Sequence, residues 1–354
     1  MVDIRTTKKG LSAMTPSEDT TPANQTTQDS RTTQSAQPTM RAMRQEEFGG
    51  PEVLTEVEVP RPAPGISEIL VKVEAAGVNP TDWKHRSGRR FLGDPPYTLG
   101  WDVSGVVEEV GLGVTLFAPG DEVFGMLPYP YGAGSHAEYV VGPTRAFVPK
   151  PASIDHVQAG AIPLVALTAW QSLVDTARLG AGDRVLVHAA AGGVGHVAVQ
   201  IAKARGAYVI GTASRPKHEF VRGLGADEVI DYRETDFVEA AADIDIVLDT
   251  LGGDHQLRSL DTLKPGGIMV STVPVGAEGL QDKAEDLGVR ASLILVEADH
   301  GGMQEIAQLV ADGSLRATIA ETYPLTQASR AHAAGETNRT TGKLVLTMDD
   351  RPEE

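Results

Sequence analysis

Three textures of apolar and polar positions follow one another along the chain. Residues 1–40 are dominated by Thr, Ser, Gln and Pro and carry almost no aliphatic pattern. Such a segment cannot bury enough apolar surface to offset its ordering entropy, which predicts a disordered tail and makes Met40 or Met43 an alternative start. From Met43, short alternating or apolar runs at 53–59, 69–78, 100–110, 120–124 and 135–141 are separated by Pro and Gly. That spacing predicts a small β-barrel or sandwich. The texture changes again near Ser153. Residues 159–174 are apolar at helical spacing, and short apolar strands at 184–188, 207–211, 228–230, 244–248 and 267–273 then alternate with helical stretches at 194–205, 217–224 and 257–263. Alternation of this kind predicts βαβ units on a parallel sheet. An amphipathic helix at 303–311 and a last strand at 343–347 end the pattern.

The first βα unit carries a chemical signal. Val185–Gly195 reads as a buried strand, a turn of small residues and a helix start, with Gly192, Gly193 and Gly195 in the turn and Ala189 or Ala190 where a first glycine usually stands. Small residues let a pyrophosphate approach the backbone, and the amides of Ala191, Gly192, Gly193, Val194 and Gly195, with the helix dipole, can hold its charge. The flanking strand and helix supply the context that a lone glycine pattern lacks. At the end of the next strand, a site for NAD needs an Asp or Glu to accept from the ribose 2′-hydroxyl. Here the chain reads Ala213-Ser214-Arg215-Pro216-Lys217, a hydroxyl and two cations without a carboxylate. Those groups suit a 2′-phosphate and point to NADPH; the alternative is two solvated charges at a helix start.

Composition narrows the partners. The formal net charge is −17, which disfavours nucleic acid. There is no cysteine, which removes disulfides, thiolate nucleophiles and Cys-based zinc sites. No apolar run reaches the roughly 20 residues that span a bilayer, and no secretory signal is visible, so a cytoplasmic location is the default expectation.

Ala75–Asp82, Pro95–Gly100, Gly105–Gly111, Pro163–Ala169, Ala189–Gly195, Asp249–Gly253 and Thr341–Val345, taken in order, resemble the zinc-independent quinone oxidoreductases of the medium-chain dehydrogenase/reductase superfamily, over nearly all of residues 43–348. The resemblance implies an α/β protein with a GroES-like catalytic domain from residues 41–164 and 297–354. A Rossmann NADP-binding domain, residues 165–296, is inserted between them. It also implies a homodimer. Asn79 and Trp101 stand where zinc-dependent relatives keep a Cys and a His, so no metal is expected. His85 and His136 are then surface or hydrogen-bonding histidines. By the same resemblance Asn79 and Thr168 lie near the nicotinamide, Tyr232 near the adenosine phosphate, and Leu251, residues 294–296 and Lys343 along the cofactor. Leu251 and Ile294 as core packing, and Lys343 as a surface lysine, are the alternatives.

Without a metal, hydride is best accepted by a quinone or an α,β-unsaturated carbonyl, whose developing oxyanion needs only hydrogen bonds and a proton source. Tyr97 is a weak candidate donor, with a packing role as its alternative, and Asp82 is either a cleft residue or a cap on the turn after Pro80. The competing functional readings are an NADPH-binding scaffold or sensor with little turnover, since fold does not fix function, and a zinc alcohol dehydrogenase, which the missing cysteines disfavour.

Overall fold

The computed structural model describes residues 37–273 and 275–348. The expected tail therefore lies almost wholly outside the described residues. Its last part does not: the first strand, β1, is Thr39–Gln45 and pairs antiparallel with β2, Thr55–Pro60, with Met40 opposite Val59. Ala42 and Met43 are buried, and this burial draws the end of the polar segment into a strand.

The long apolar run forms β3, Glu68–Val78, which leads into helix α1, Pro80–Ser87. Pro80 takes the first helical position, where its missing N–H costs nothing. After β4 (Tyr97–Thr98) come β5 (Asp102–Val110), β6 (Glu122–Met126), β7 (Tyr139–Pro143) and β8 (Phe147–Pro149). The apolar stretch at 159–174 is not one helix. It divides into α2 (His156–Gly160), α3 (Pro163–Trp170) and a wider turn at Gln171–Thr176. Pro163 starts the new helix because it cannot donate to the preceding turn.

The parallel sheet follows: β9 (Arg184–Val187), α4 (Gly193–Ala204), β10 (Tyr208–Ala213), α5 (His218–Gly223), β11 (Glu228–Asp231), α6 (Phe237–Ala240), β12 (Ile244–Asp249), α7 (Asp254–Leu260), β13 (Leu263–Ser271), α8 (Leu280–Asp286) and β14 (Arg290–Leu293). Its order is β11-β10-β9-β12-β13-β14, parallel throughout. The direction of winding reverses between β9 and β12, and ligands of such sheets bind outside the strand ends at that point. The chain then returns through α9 (His300–Ala311), β15 (Ile319–Pro324), α10 (Ala328–Glu336) and β16 (Lys343–Thr347). β16 pairs antiparallel with β3, Leu344 opposite Val78, and closes a seven-stranded sheet with β5, β6, β7, β8 and β15. The fold is therefore a GroES-like β-rich part plus a doubly wound Rossmann sheet, as the order of textures predicts. Among the described residues no helix is long and apolar enough to cross a membrane.

Between α1 and α10 the core contains polar groups. Asp82, His136 and His332 are fully buried and bring one potential ligand atom each within 4.8 Å of the others. Arg86 Nη1 donates to His332 Nδ1 at 3.3 Å. An imidazole that accepts at Nδ1 carries its hydrogen on Nε2, so His332 Nε2 offers no lone pair to a cation. The surface expectation for the histidines is thus corrected. His85 is buried with Nδ1 2.8 Å from the Thr81 carbonyl oxygen, and both His136 ring nitrogens are buried without a hydrogen-bond partner among the described residues. Gly100, at φ +96, makes room for the His136 ring, because a Cβ there would clash with it.

Burial holds the His136 imidazole neutral, its pKa pushed down to about 3. The folded value lies below the unfolded one, so the unfolded chain binds the extra proton and stability is lost as pH falls from about 6.5 toward 3. Asp82 titrates in the opposite sense, burial having pushed it up to about 8, so the contribution of His136 must be read as a difference between variants. On moving from pH 7.5 to 5.5, His136→Leu should lose about 1.4 kcal/mol less stability than the natural chain, measured by denaturant unfolding. Equal losses would refute a buried neutral imidazole.

Candidate functional site

The site is assembled around a buried cation. Lys343, the first residue of β16, is 3% exposed. Its Nζ donates to the Asn79 Oδ1, to the Val78 carbonyl oxygen at 3.1 Å and to Asp102 Oδ2 at 3.4 Å. Three acceptors call for three hydrogens, so the geometry describes an ammonium. Burial pulls the Lys343 pKa down, and the Asp102 and Asp82 carboxylates oppose that. Asp102, also fully buried, accepts further hydrogen bonds from Asn79 Nδ2 at 2.8 Å and from the Leu164 amide at 2.6 Å. Asn79 caps α1, and Asp82 Oδ2 accepts from its backbone N–H at 2.6 Å. Asp82 is therefore the cap of that turn and a helical residue rather than part of a loop.

A cavity of about 530 Å³ opens beside this network. One wall is the glycine turn. Ala189 adopts φ +47, so it performs the turn expected of a first glycine, and its carbonyl accepts from Gly192 at 2.8 Å. Gly192 caps α4 without a side chain to occupy the first amides, which leaves Gly193, Val194 and Gly195 to face the cavity. A Cβ on Gly195 would clash with the Ala189 carbonyl, so the closest approach of helix to strand fixes that glycine. Ala191 is buried, and its carbonyl accepts from Gly342 at 3.0 Å, which ties the turn to the start of β16. The opposite strand end contributes Thr250 and Leu251, and Ile294, Leu295 and Val296 continue the wall beyond β14. Leu251 is 45% exposed on the cavity, so it is not core packing. Thr168 lines the cavity, with its hydroxyl hydrogen committed to the Leu164 carbonyl at 2.7 Å.

The groups singled out for the adenosine end lie apart from this cavity, at the ends of β10 and β11. Ser214 precedes a short turn, Arg215–Lys217. The Arg215 guanidinium is exposed and 3.5 Å from Glu234, and Lys217 Nζ donates to the Arg339 and Thr340 carbonyls at 3.0 and 3.4 Å. Tyr232 is 52% exposed with Arg233 stacked over its ring at 5.6 Å. Sequence reasoning did not include Arg233. Burial and this arginine lower the Lys217 pKa.

The structure places the candidate donor Tyr97 away from the cavity: its hydroxyl donates to the His85 carbonyl at 3.0 Å, and the residue packs beside the core. Tyr129 faces the cavity instead. It lines the cavity, packs edge-on against the buried Trp101 at 5.2 Å between ring centroids, and accepts from Thr81 Oγ1 at 3.2 Å. With Thr81 donating, its own hydrogen is free. Burial raises its pKa, which keeps the phenol protonated at neutral pH. The only hint in the sequence was an aromatic-rich loop, Pro128-Tyr129-Pro130-Tyr131, after β6.

The residues at the expected zinc positions do not fit that ion. Asn79 Oδ1 is occupied by a Lys343 hydrogen, and the Trp101 indole offers a donor and no lone pair.

The alcohol dehydrogenase GroES-like domain model matches residues 65–152, and the zinc-binding dehydrogenase model matches residues 224–346. The 2-haloacrylate reductase of Burkholderia sp is 37% identical over 325 residues, 84% of this chain and 96% of that protein. The quinone oxidoreductase of Rattus norvegicus is 34% identical over 329 residues, 87% of this chain and 98% of that protein. Among solved structures, the quinone oxidoreductase from Coxiella burnetii superposes with a TM-score of 0.83 at 36% identity, covering 88% of this chain and all of that one. The Escherichia coli quinone oxidoreductase complexed with NADPH gives 0.80 at 32% identity, with the same coverage.

Proposed function

Because the chain belongs to the zinc-independent quinone oxidoreductase family of medium-chain dehydrogenases/reductases, we propose that it uses NADPH to reduce a quinone or an α,β-unsaturated carbonyl compound. The coarser statement, an oxidoreductase of the quinone oxidoreductase type, follows from the family itself. One observation carries the finer one. A single cavity joins the free amides of the glycine turn to the hydroxyl of the half-buried Tyr129, with Leu251 and residues 294–296 along its wall, at the reversal point of the parallel sheet.

The bound dinucleotide supplies the hydride. The chain's part is position and charge. Gly193, Val194 and Gly195 present amides to a pyrophosphate, and Ser214, Arg215 and Lys217, with Arg233, offer a hydroxyl and three cations to a 2′-phosphate. Leu251 and residues 294–296 shield the reacting end from water. Tyr129 donates a hydrogen bond to the oxyanion that develops on the acceptor, and solvent returns the proton. The relatives include a quinone oxidoreductase and a 2-haloacrylate reductase, and quinones and 2-haloacrylates both carry a C=C bond conjugated to a carbonyl group.

Three outcomes test this reading. Purified protein mixed with NADPH and a panel of quinones, enones and enals should bleach the nicotinamide band with at least one acceptor; tight NADPH binding with no turnover would instead favour a scaffold or sensor. Arg215→Ala combined with Lys217→Ala should weaken NADPH about 100-fold or more while changing NADH little, because each of the two charge-assisted bonds is worth about 1.5–3 kcal/mol. Equal weakening of both would remove the 2′-phosphate assignment. Tyr129→Phe should lower kcat about 100-fold and leave the NADPH Kd unchanged. An unaltered kcat would leave the tyrosine with a packing role.

A further inference from the structure

Two cations at the cavity have no partner in this account. Lys84 lies on α1 and Arg90 just beyond it, and both line the cavity with Phe91 and Tyr129. Arg90 Nε donates to the Lys84 carbonyl at 3.1 Å, which holds the guanidinium beside the lysine with its two terminal nitrogens unused. Among the described residues no carboxylate pairs with either side chain. Their neighbours behave otherwise: Arg86 pairs with Glu336 at 2.5 Å and Arg89 with Asp94 at 3.2 Å. Both residues are exposed at the cavity mouth, where their like charges repel, and partial desolvation and Arg90 lower the Lys84 pKa. An anion between them relieves that repulsion.

The cofactor does not need them. Its pyrophosphate has the amides at the start of α4, and its 2′-phosphate has the Arg215, Lys217 and Arg233 group. Lys84 stands five residues along α1 from Asn79, roughly 7.5 Å of helix axis away from the end that meets Lys343 and Gly193. Arg90 instead lines the cavity with Tyr129 and His85, and the ring of the adjacent Phe91 packs 6.4 Å from Tyr129 and 6.1 Å from His85 between centroids. An anion held here is therefore placed beside the proposed oxyanion donor.

We infer that the acceptor is an anion: a conjugated carbonyl compound bearing a carboxylate, which Lys84 and Arg90 hold at the cavity. This rests on the reductase reading above. In the reaction, hydride adds to the β-carbon, the C=C bond opens to an enolate, and a proton from solvent closes the α-carbon. The nicotinamide is oxidised, and the carboxylate is unchanged. On a chain of net charge −17, two cations at the cavity mouth would steer this class of anion to the site.

The test uses a matched pair, 6-oxohept-4-enoate and its methyl ester, which share the enone, carry the carboxyl group beyond two methylenes and so differ in charge. With NADPH and the natural chain, kcat/KM for the acid should exceed that for the ester about tenfold or more, and the preference should shrink between 50 and 500 mM salt. Lys84→Gln with Arg90→Gln should lower kcat/KM for the acid, through KM, about tenfold more than for the ester, and shift the NADPH Kd less than twofold. Equal or better use of the ester, equal losses on both, or a weakened NADPH site would overturn the inference while leaving the reductase reading intact. A second arm needs no turnover. Titration calorimetry of the acid into NADP⁺-loaded protein should show binding that the double variant loses. If neither compound is reduced and the wider acceptor panel also fails, the reductase reading falls; absence of binding in the calorimeter then removes the anion site as well.

Discussion

A lysine ammonium buried among carboxylate, amide and carbonyl oxygens sets the terms for this molecule. An unpaired charge in that position would cost several kcal/mol, so Lys343 must keep Val78, Asn79 and Asp102 around it. Those residues come from β3, the start of α1 and β5, and Asp102 reaches on to the Leu164 amide at the start of α3. One charge therefore joins the last strand of the chain to its early strands and to the helix that leads into the parallel sheet. The same bonds consume both ends of the Asn79 amide. That side chain is a fixed part of the cavity floor, and a metal would find no ligand in it.

The cavity inherits its order from this junction. On one side the turn after β9 has small residues because α4 starts against the strand: Ala189 in a left-handed conformation and Gly195 at the contact. On the other side α1 presents Thr81 and Lys84, with Tyr129 packed over Trp101. Positive charge is grouped by position in a chain that is acidic overall. Arg215, Lys217 and Arg233 gather at the outer strand ends, Lys343 lies paired in the middle, and Lys84 and Arg90 have no carboxylate partner among the described residues at the cavity mouth. In the proposed reading each group serves a different anion.

How much of this could be read from residues alone varies with the range of the interaction. The glycine turn, the alternation of strands and helices and the division into a β-rich part and a parallel sheet are local patterns, and the structure reproduces them in order. The break of the 159–174 stretch at Pro163 was written in the chain too, but its apolar periodicity hid it. Tyr97 and Tyr129 show the opposite case. Both are tyrosines in loops or short strands of the same region, and nothing near either in sequence says that one hydroxyl is spent on the His85 carbonyl while the other faces the cavity.

By itself, then, the sequence determined the fold class, the small-residue turn after β9, the cationic character of the segment after β10 and the lack of cysteine ligands, because each depends on residue type and spacing within a few dozen residues. Tertiary structure alone decided that Lys343 is buried 264 residues from the Asn79 it holds, that His136 is sealed neutral behind Gly100, and that Lys84 and Arg90 meet no carboxylate among the described residues. Those facts depend on which distant side chains meet, and on the water removed when they do, so no local pattern carries them.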